Sequence, residues 1–162
     1  MLAISHCNKG TPENKGSDRT ICIVLRQEKA SSIIPLIRKY VSSDAVIMTD
    51  FGSAFSPIFT ELGNQHFKVN HSKQYQDESG VNNNMAESFF SRLRRSEFGT
   101  YNGMRHQYLA FYAAESAWRA NTNKLSLRVK FVDVVKDIFS REPSKAFTNY
   151  NHGHRLGIEY AC

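Results

Sequence analysis

Two carboxylates in this sequence stand where an oxygen ligand would be useful. Asp50 closes the apolar run Ala45-Val46-Ile47-Met48-Thr49 and is followed by Phe51-Gly52-Ser53. The run reads as a buried strand and the glycine as a turn. Asp50 is then at a strand's carboxyl end, where ligand sites gather in open α/β sheets. The alternative is a turn residue that caps the next helix.

The second acid is Glu87. At 100° per residue, Met85, Ala86, Phe89, Phe90 and Leu93 form one apolar arc, with Asn84, Glu87, Ser91, Arg94 and Arg95 on the opposite side. Glu87, Ser91 and Arg94 stand at i, i+4 and i+7 and share one face. A carboxylate two turns ahead of a guanidinium suits a site that holds a divalent cation and a phosphate oxygen. Arg92, Arg94 and Arg95 make the helix densely cationic. The plainer reading is a solvated helix face. Acids from separate elements are what in-line attack on a phosphodiester requires, because two metal ions must neutralise charge on the entering and leaving oxygens.

Other positions carry less. His71, after the stretch His66-Phe67-Lys68-Val69-Asn70, could contact DNA or assist a water, although a lone histidine at a strand end is more often structural. His6, Cys7, His152, His154 and Cys162 match no zinc spacing. Glu115 with Arg119 at i+4 reads as a structural ion pair, with a metal role as the lesser alternative.

The elements that must position these residues follow from periodicity. Residues 1–6 and the β-branched run Thr20–Leu25 predict a hairpin around a long polar loop. Residues 30–41 predict a helix capped by Ser31 or Ser32, with Pro35 in its first turn. Residues 45–49 predict a strand, 54–62 a short helix and 66–70 a second short strand; 71–82 read as loop. Helices follow over 83–98, ended by Gly99, then over 105–121 and 125–140. In the second of these, Tyr108, Leu109, Phe111, Tyr112 and Trp118 read as core. Strands early and helices late, with one strand–helix–strand crossover, give an α/β or α+β sandwich.

A chain of 162 residues suits one domain, here residues 1–140 with a tail over 141–162. The net charge of +6 favours a polyanionic partner. Three widely spaced cysteines give no disulfide framework and fit a reducing compartment. No signal peptide or membrane-length apolar run is present, so a cytoplasmic protein is expected.

One long motif resembles a known family. The stretch Val69-Asn70-His71-Ser72, then Asn84-Met85-Ala86-Glu87-Ser88-Phe89-Phe90-Ser91-Arg92-Leu93-Arg94-Arg95, then Gly99 and Tyr101, resembles the ISXO-like insertion-sequence transposase domain of the DDE superfamily. Tyr112, Glu115, Trp118-Arg119 and Asn121 fit the same pattern, as do Arg19-Thr20, Pro35-Leu36-Ile37 and Thr49-Asp50 upstream. The resemblance covers roughly residues 1 to 125. It implies an RNase H-like mixed sheet flanked by helices, two Mg²⁺ (or Mn²⁺) ions, and cleavage and joining of double-stranded DNA by a homo-oligomer. On that pattern Asp50 matches the second acid, and Glu87 or Asn84 the third position, with Glu87 the better ligand. Arg94 stands where the family usually has a lysine. Arg92, Arg95, His71 and Lys73 would be further DNA contacts.

The departure is at the start. The family's first acid lies on a strand before the hairpin, and no residue here matches it; Asp18 is in the hairpin loop. The expectation is therefore a sheet without its first strand, from a mis-set start or a decayed gene, with impaired catalysis. The alternatives are a non-catalytic basic DNA-binding remnant of the same fold, or a related nuclease that cuts without joining.

Overall fold

The structure is a computed structural model that describes residues 1–6, 18–68 and 84–142. Strands β1 (Leu2–His6) and β2 (Arg19–Ile23) pair antiparallel, Leu2 opposite Ile23 and His6 opposite Arg19, as the two apolar runs predict. Alternation gives this hairpin two apolar faces. Leu2, Ile4 and Ile23 pack with Ile33, Ile34, Leu36 and Ile37 of helix α1 (Ala30–Tyr40). Ala3 and Cys22 point the other way, into a cluster with Phe89 and Leu93 of α3 (Asn84–Gly99) and Ala117 of α4 (Leu109–Asn121). The hairpin is thus the middle layer of an α/β/α sandwich.

Helix α1 differs from expectation in its start. Its N-cap is Lys29, without a side-chain cap, and neither Ser31 nor Ser32 serves. Backbone bonds from Ser32 and Ile33 to the Lys29 carbonyl begin the helix instead. Pro35 consequently lies inside the helix, beyond the first turn. It is tolerated because it faces solvent, as does Ser31, whose carbonyl loses its i+4 donor.

Strand β3 (Ile47–Thr49) pairs in parallel with β4 (His66–Lys68), with α2 (Ile58–Leu62) in the crossover. Gly63 ends α2 at φ 75°, a left-handed conformation that suits glycine. β3 begins two residues later than its apolar run because the chain before it is held elsewhere. The buried Asn64 side-chain amide donates to the carbonyls of Ser42, Ser43 and Ala45 at 2.9, 3.1 and 2.9 Å. Removing it would strand three acceptors and loosen the approach to Asp50. Asn64→Ala is expected to cost about 2–3 kcal/mol, read by urea denaturation. A loss under about 0.5 kcal/mol would show that water replaces the amide without penalty.

Each strand pair has two outer edges, and no described strand pairs on either. The outer edge of β2 is covered: the Asn121 side chain accepts from the Thr20 N–H at 2.6 Å and donates to the Thr20 carbonyl at 2.9 Å. The Thr20 peptide groups therefore point away from β1, and those of its partner Ser5, with Ala3, point away from β2. Ile47 donates to Gln65 O toward β4, so Met48 presents its peptide groups to the far side of β3. The α1 core spans both pairs, taking Leu2 and Ile4 from β1 and Ile47 from β3.

The helices of the second half form as predicted, with one correction. The core contribution of α4 comes from Ala113 and Ala117, whereas Tyr108, Leu109, Tyr112 and Trp118 are half-buried and Phe111 is exposed. Small side chains let α4 lie close against β2, and the aromatic rings flank that seam. Helix α5 (Leu127–Ser140) starts at the N-cap Ser126, whose hydroxyl accepts from Val129 N–H.

Candidate functional site

Asp50 directly follows β3, exposed, at the strand's carboxyl end. Its Oδ1 accepts the Gly52 N–H at 3.1 Å, an Asx turn that aims the carboxylate and leads into the 3₁₀ turn Ser53–Phe55. That turn's cap is Gly52, not Asp50, so the helix-capping alternative is not what the geometry gives. A Cβ at 52 would crowd Asp50 Oδ1 at 3.1 Å and the Phe55 ring at 3.2 Å, so either side chain would have to shift by a few tenths of an ångström.

A support invisible in the sequence stands beside Asp50. The Thr49 hydroxyl donates to the Asp50 carbonyl at 2.8 Å and so accepts from Nε2 of His66, also at 2.8 Å. The parallel pairing brings these two strands side by side. Partial burial lowers the His66 pKa, and the nearby Lys68 charge lowers it further. A depressed histidine pKa favours the neutral ring. Its contribution to stability is present above the unfolded value and lost as pH falls through the folded one.

Glu87 and Asn84 lie in the first turn of α3, Glu87 exposed and Asn84 half-buried. An acid there also meets the positive end of the helix dipole. Arg92, Arg94 and Arg95 are exposed on the same helix, Arg92 donating to Ser88 Oγ at 3.3 Å. Phe89 and Leu93 are buried beneath, so the predicted division of this helix into apolar and charged faces holds. His71 and Lys73 lie outside the described residues, as do the loop 71–82, Cys7, Cys162, His152 and His154.

Glu115 pairs with Arg119, Oε1 to Nη2 at 2.7 Å and to Nε at 2.9 Å, which is the structural ion pair the i,i+4 spacing predicts. Burial would raise the Glu115 pKa, but hydrogen bonds from Arg119 and Tyr101, with the Arg119 charge, outweigh it and lower the value. The pair's stability is therefore present above the unfolded carboxylate pKa and is lost on acidification. Both groups are well exposed, so it contributes only about 0.3–0.5 kcal/mol. Burial pushes the Cys22 thiol up to about 11, which leaves it an inert core group.

A divalent cation here would need oxygen ligands from several elements. Carboxylate oxygens are the right type of ligand, and Asp50 and Glu87 are both accessible. Among the described residues, however, no three His, Cys, Asp or Glu side chains gather closely enough to hold a metal ion. The described donors therefore fall short of a complete cation site.

The features define an α/β sandwich domain with a carboxylate at a strand end and a cationic helix beside a second one. Residues 4–121 match the ISXO2-like transposase domain, and the chain belongs to that family of insertion-sequence transposases. An uncharacterized transposase-like protein of Haemophilus influenzae is 22% identical over 111 residues, covering 68% of this chain and 87% of that protein. No solved structure matches the chain. No helix among the described residues is long and apolar enough to cross a membrane.

Proposed function

We propose that residues 1–140 are an RNase H-like DNA-transposase catalytic domain, with 141–162 a tail. In it, Asp50 and Glu87 serve as metal-binding acids and Arg92, Arg94 and Arg95 as phosphate contacts. The observation that carries this reading is the family match over residues 4–121, which includes both acids and the arginines. Asn84 is the rival to Glu87, and Arg94 binds phosphate where a lysine is usual, as a fork rather than a point charge. His71 and Lys73 would add contacts to double-stranded DNA.

In an RNase H-like sheet one further strand would join the two pairs, lying between the open edge of β1 at Ala3 and Ser5 and that of β3 at Met48. That strand would carry the first acid of the family's set. No described residue supplies it. The described residues alone therefore hold an incomplete set of acids for the two-metal chemistry, with Mg²⁺ or Mn²⁺, expected of the family. Duplex binding is retained, since it depends on the cationic helix and the net charge of +6.

The second reading is a non-catalytic DNA-binding domain of the same fold. It asks only for the exposed arginines of α3 and needs no metal ligand. A gel-shift titration of duplex DNA, with and without Mg²⁺, tests the shared claim. Binding that weakens steeply with salt is expected, and no binding at low salt would remove both readings.

A further inference from the structure

The geometry points to the groove between α3 and α4 as a phosphate-binding site, in which Arg92 and Arg119 hold one oxyanion from two helices. A cleft of about 180 Å³ opens there. It is lined by Arg92 of α3 and by Ser116 and Arg119 of α4, with Asn123 just past the end of α4. Its floor is the buried pair Phe89 and Leu93. No carboxylate is among the described residues that line it. Two guanidiniums over an apolar floor repel each other until an anion joins them, and low-dielectric walls strengthen their pull on it. The donors suit a phosphate, because guanidinium forks, a hydroxyl and an amide N–H all donate to its oxygens. The size suits one phosphate group, being below the roughly 300–1,000 Å³ of pockets that enclose a whole small molecule.

This site is separate from the face that carries Glu87. Two residues of helix turn Arg94 about 200° from Arg92, so these arginines leave α3 on opposite flanks. Arg94 shares the face of Glu87, whereas Arg92 lines the groove beside α4. Neither groove arginine is used up by its partner within the chain. Arg92 gives Nη1 to Ser88 Oγ, and Arg119 gives Nε and Nη2 to Glu115. Each guanidinium carries five N–H donors, so both forks have donors left for an oxyanion. Glu115 lines the neighbouring cleft between α4 and α5, not this one. The Arg119 side chain is 65% exposed, so its ion pair adds little to stability and leaves the fork accessible. A phosphate could come from the DNA backbone or from free phosphate in solution. Its assignment to DNA rests on the transposase reading above.

Both sources are tested on the full 162-residue chain. Duplex affinity is read by fluorescence anisotropy. Inorganic phosphate is read by the rise in melting temperature over chloride at equal ionic strength. Arg92→Gln and Arg119→Gln should each weaken duplex binding about 3- to 10-fold. Because both hold one phosphate, the double variant should lose less than the product of the single losses. Glu115→Gln breaks the same ion pair as Arg119→Gln but removes a negative charge, so it should bind duplex at least as tightly as the parent chain. A purely structural Arg119 would make those two variants alike. Arginine-dependent duplex binding without a response to inorganic phosphate assigns the site to backbone phosphate. Arginine-dependent stabilisation by inorganic phosphate without duplex binding keeps the site and removes the DNA reading. Duplex binding that neither arginine variant weakens overturns the site and leaves that reading standing. So do losses that multiply, or equal losses in Glu115→Gln and Arg119→Gln. A chain that responds to neither duplex nor phosphate removes both.

Discussion

Replacing Arg92, Arg94 and Arg95 together by alanine is expected to cut duplex-DNA affinity about 10- to 100-fold at low salt, by removing the three charges proposed to contact phosphates. The slope of log affinity against log salt should fall by about 3, near one unit per lost contact. All three side chains are exposed on α3, so the change removes charge without opening the core. The control is Arg38→Ala with Lys39→Ala in the last turn of α1. That pair removes two charges from the opposite layer of the sandwich. If the cationic face of α3 is the DNA surface, the control leaves the slope nearly unchanged. Equal slopes for the two variants would mean that diffuse net charge binds DNA, and the site assignment would fail.

The second large effect is on stability. Phe89 is 1% exposed and packs edge-to-face on Phe90, with ring centroids 5.8 Å apart. It also fills the space between Leu93, Ala117 and the underside of the hairpin at Ala3 and Cys22. Phe89→Ala removes a ring that joins two layers and leaves a cavity, so about 3–5 kcal/mol should be lost. In a domain of this size the midpoint of thermal unfolding should fall by roughly 10 °C or more. Phe90→Ala, at a half-buried position, should cost less than half as much. A reversed order in differential scanning calorimetry would place the α3 core on the wrong face, and with it the outward direction of Glu87 and the arginines.

That face was legible from the sequence because its information is local. Phe89 and Leu93 recur at helical spacing among charged neighbours, and α3 buries them as the pattern predicts. The hairpin and α5 were legible for the same reason. What the sequence hid depends on contacts between distant residues. Nothing around Asn64 announces that its amide will hold three carbonyls some twenty residues upstream and shorten β3. Asn121 fits the family pattern, but its grip on the Thr20 backbone, 101 residues away, is visible only once α4 lies on β2. Large aromatic residues suggested the core of α4, yet close packing selected its alanines. The candidate site divides in the same way. Asp50 and Glu87 could be picked out by residue type and element, whereas the Thr49–His66 bond that steadies the Asp50 backbone requires the parallel pairing of β3 with β4.

The most direct measurement is a strand-transfer assay on the 162-residue chain, with labelled duplex, Mg²⁺ or Mn²⁺, and Asp50→Asn and Glu87→Gln in parallel. The expected result is stable duplex binding with little or no joined product, and no more joining than either variant gives. Robust Mg²⁺-dependent joining that disappears in Asp50→Asn would contradict the account, because a complete set of acids would then reside within this chain.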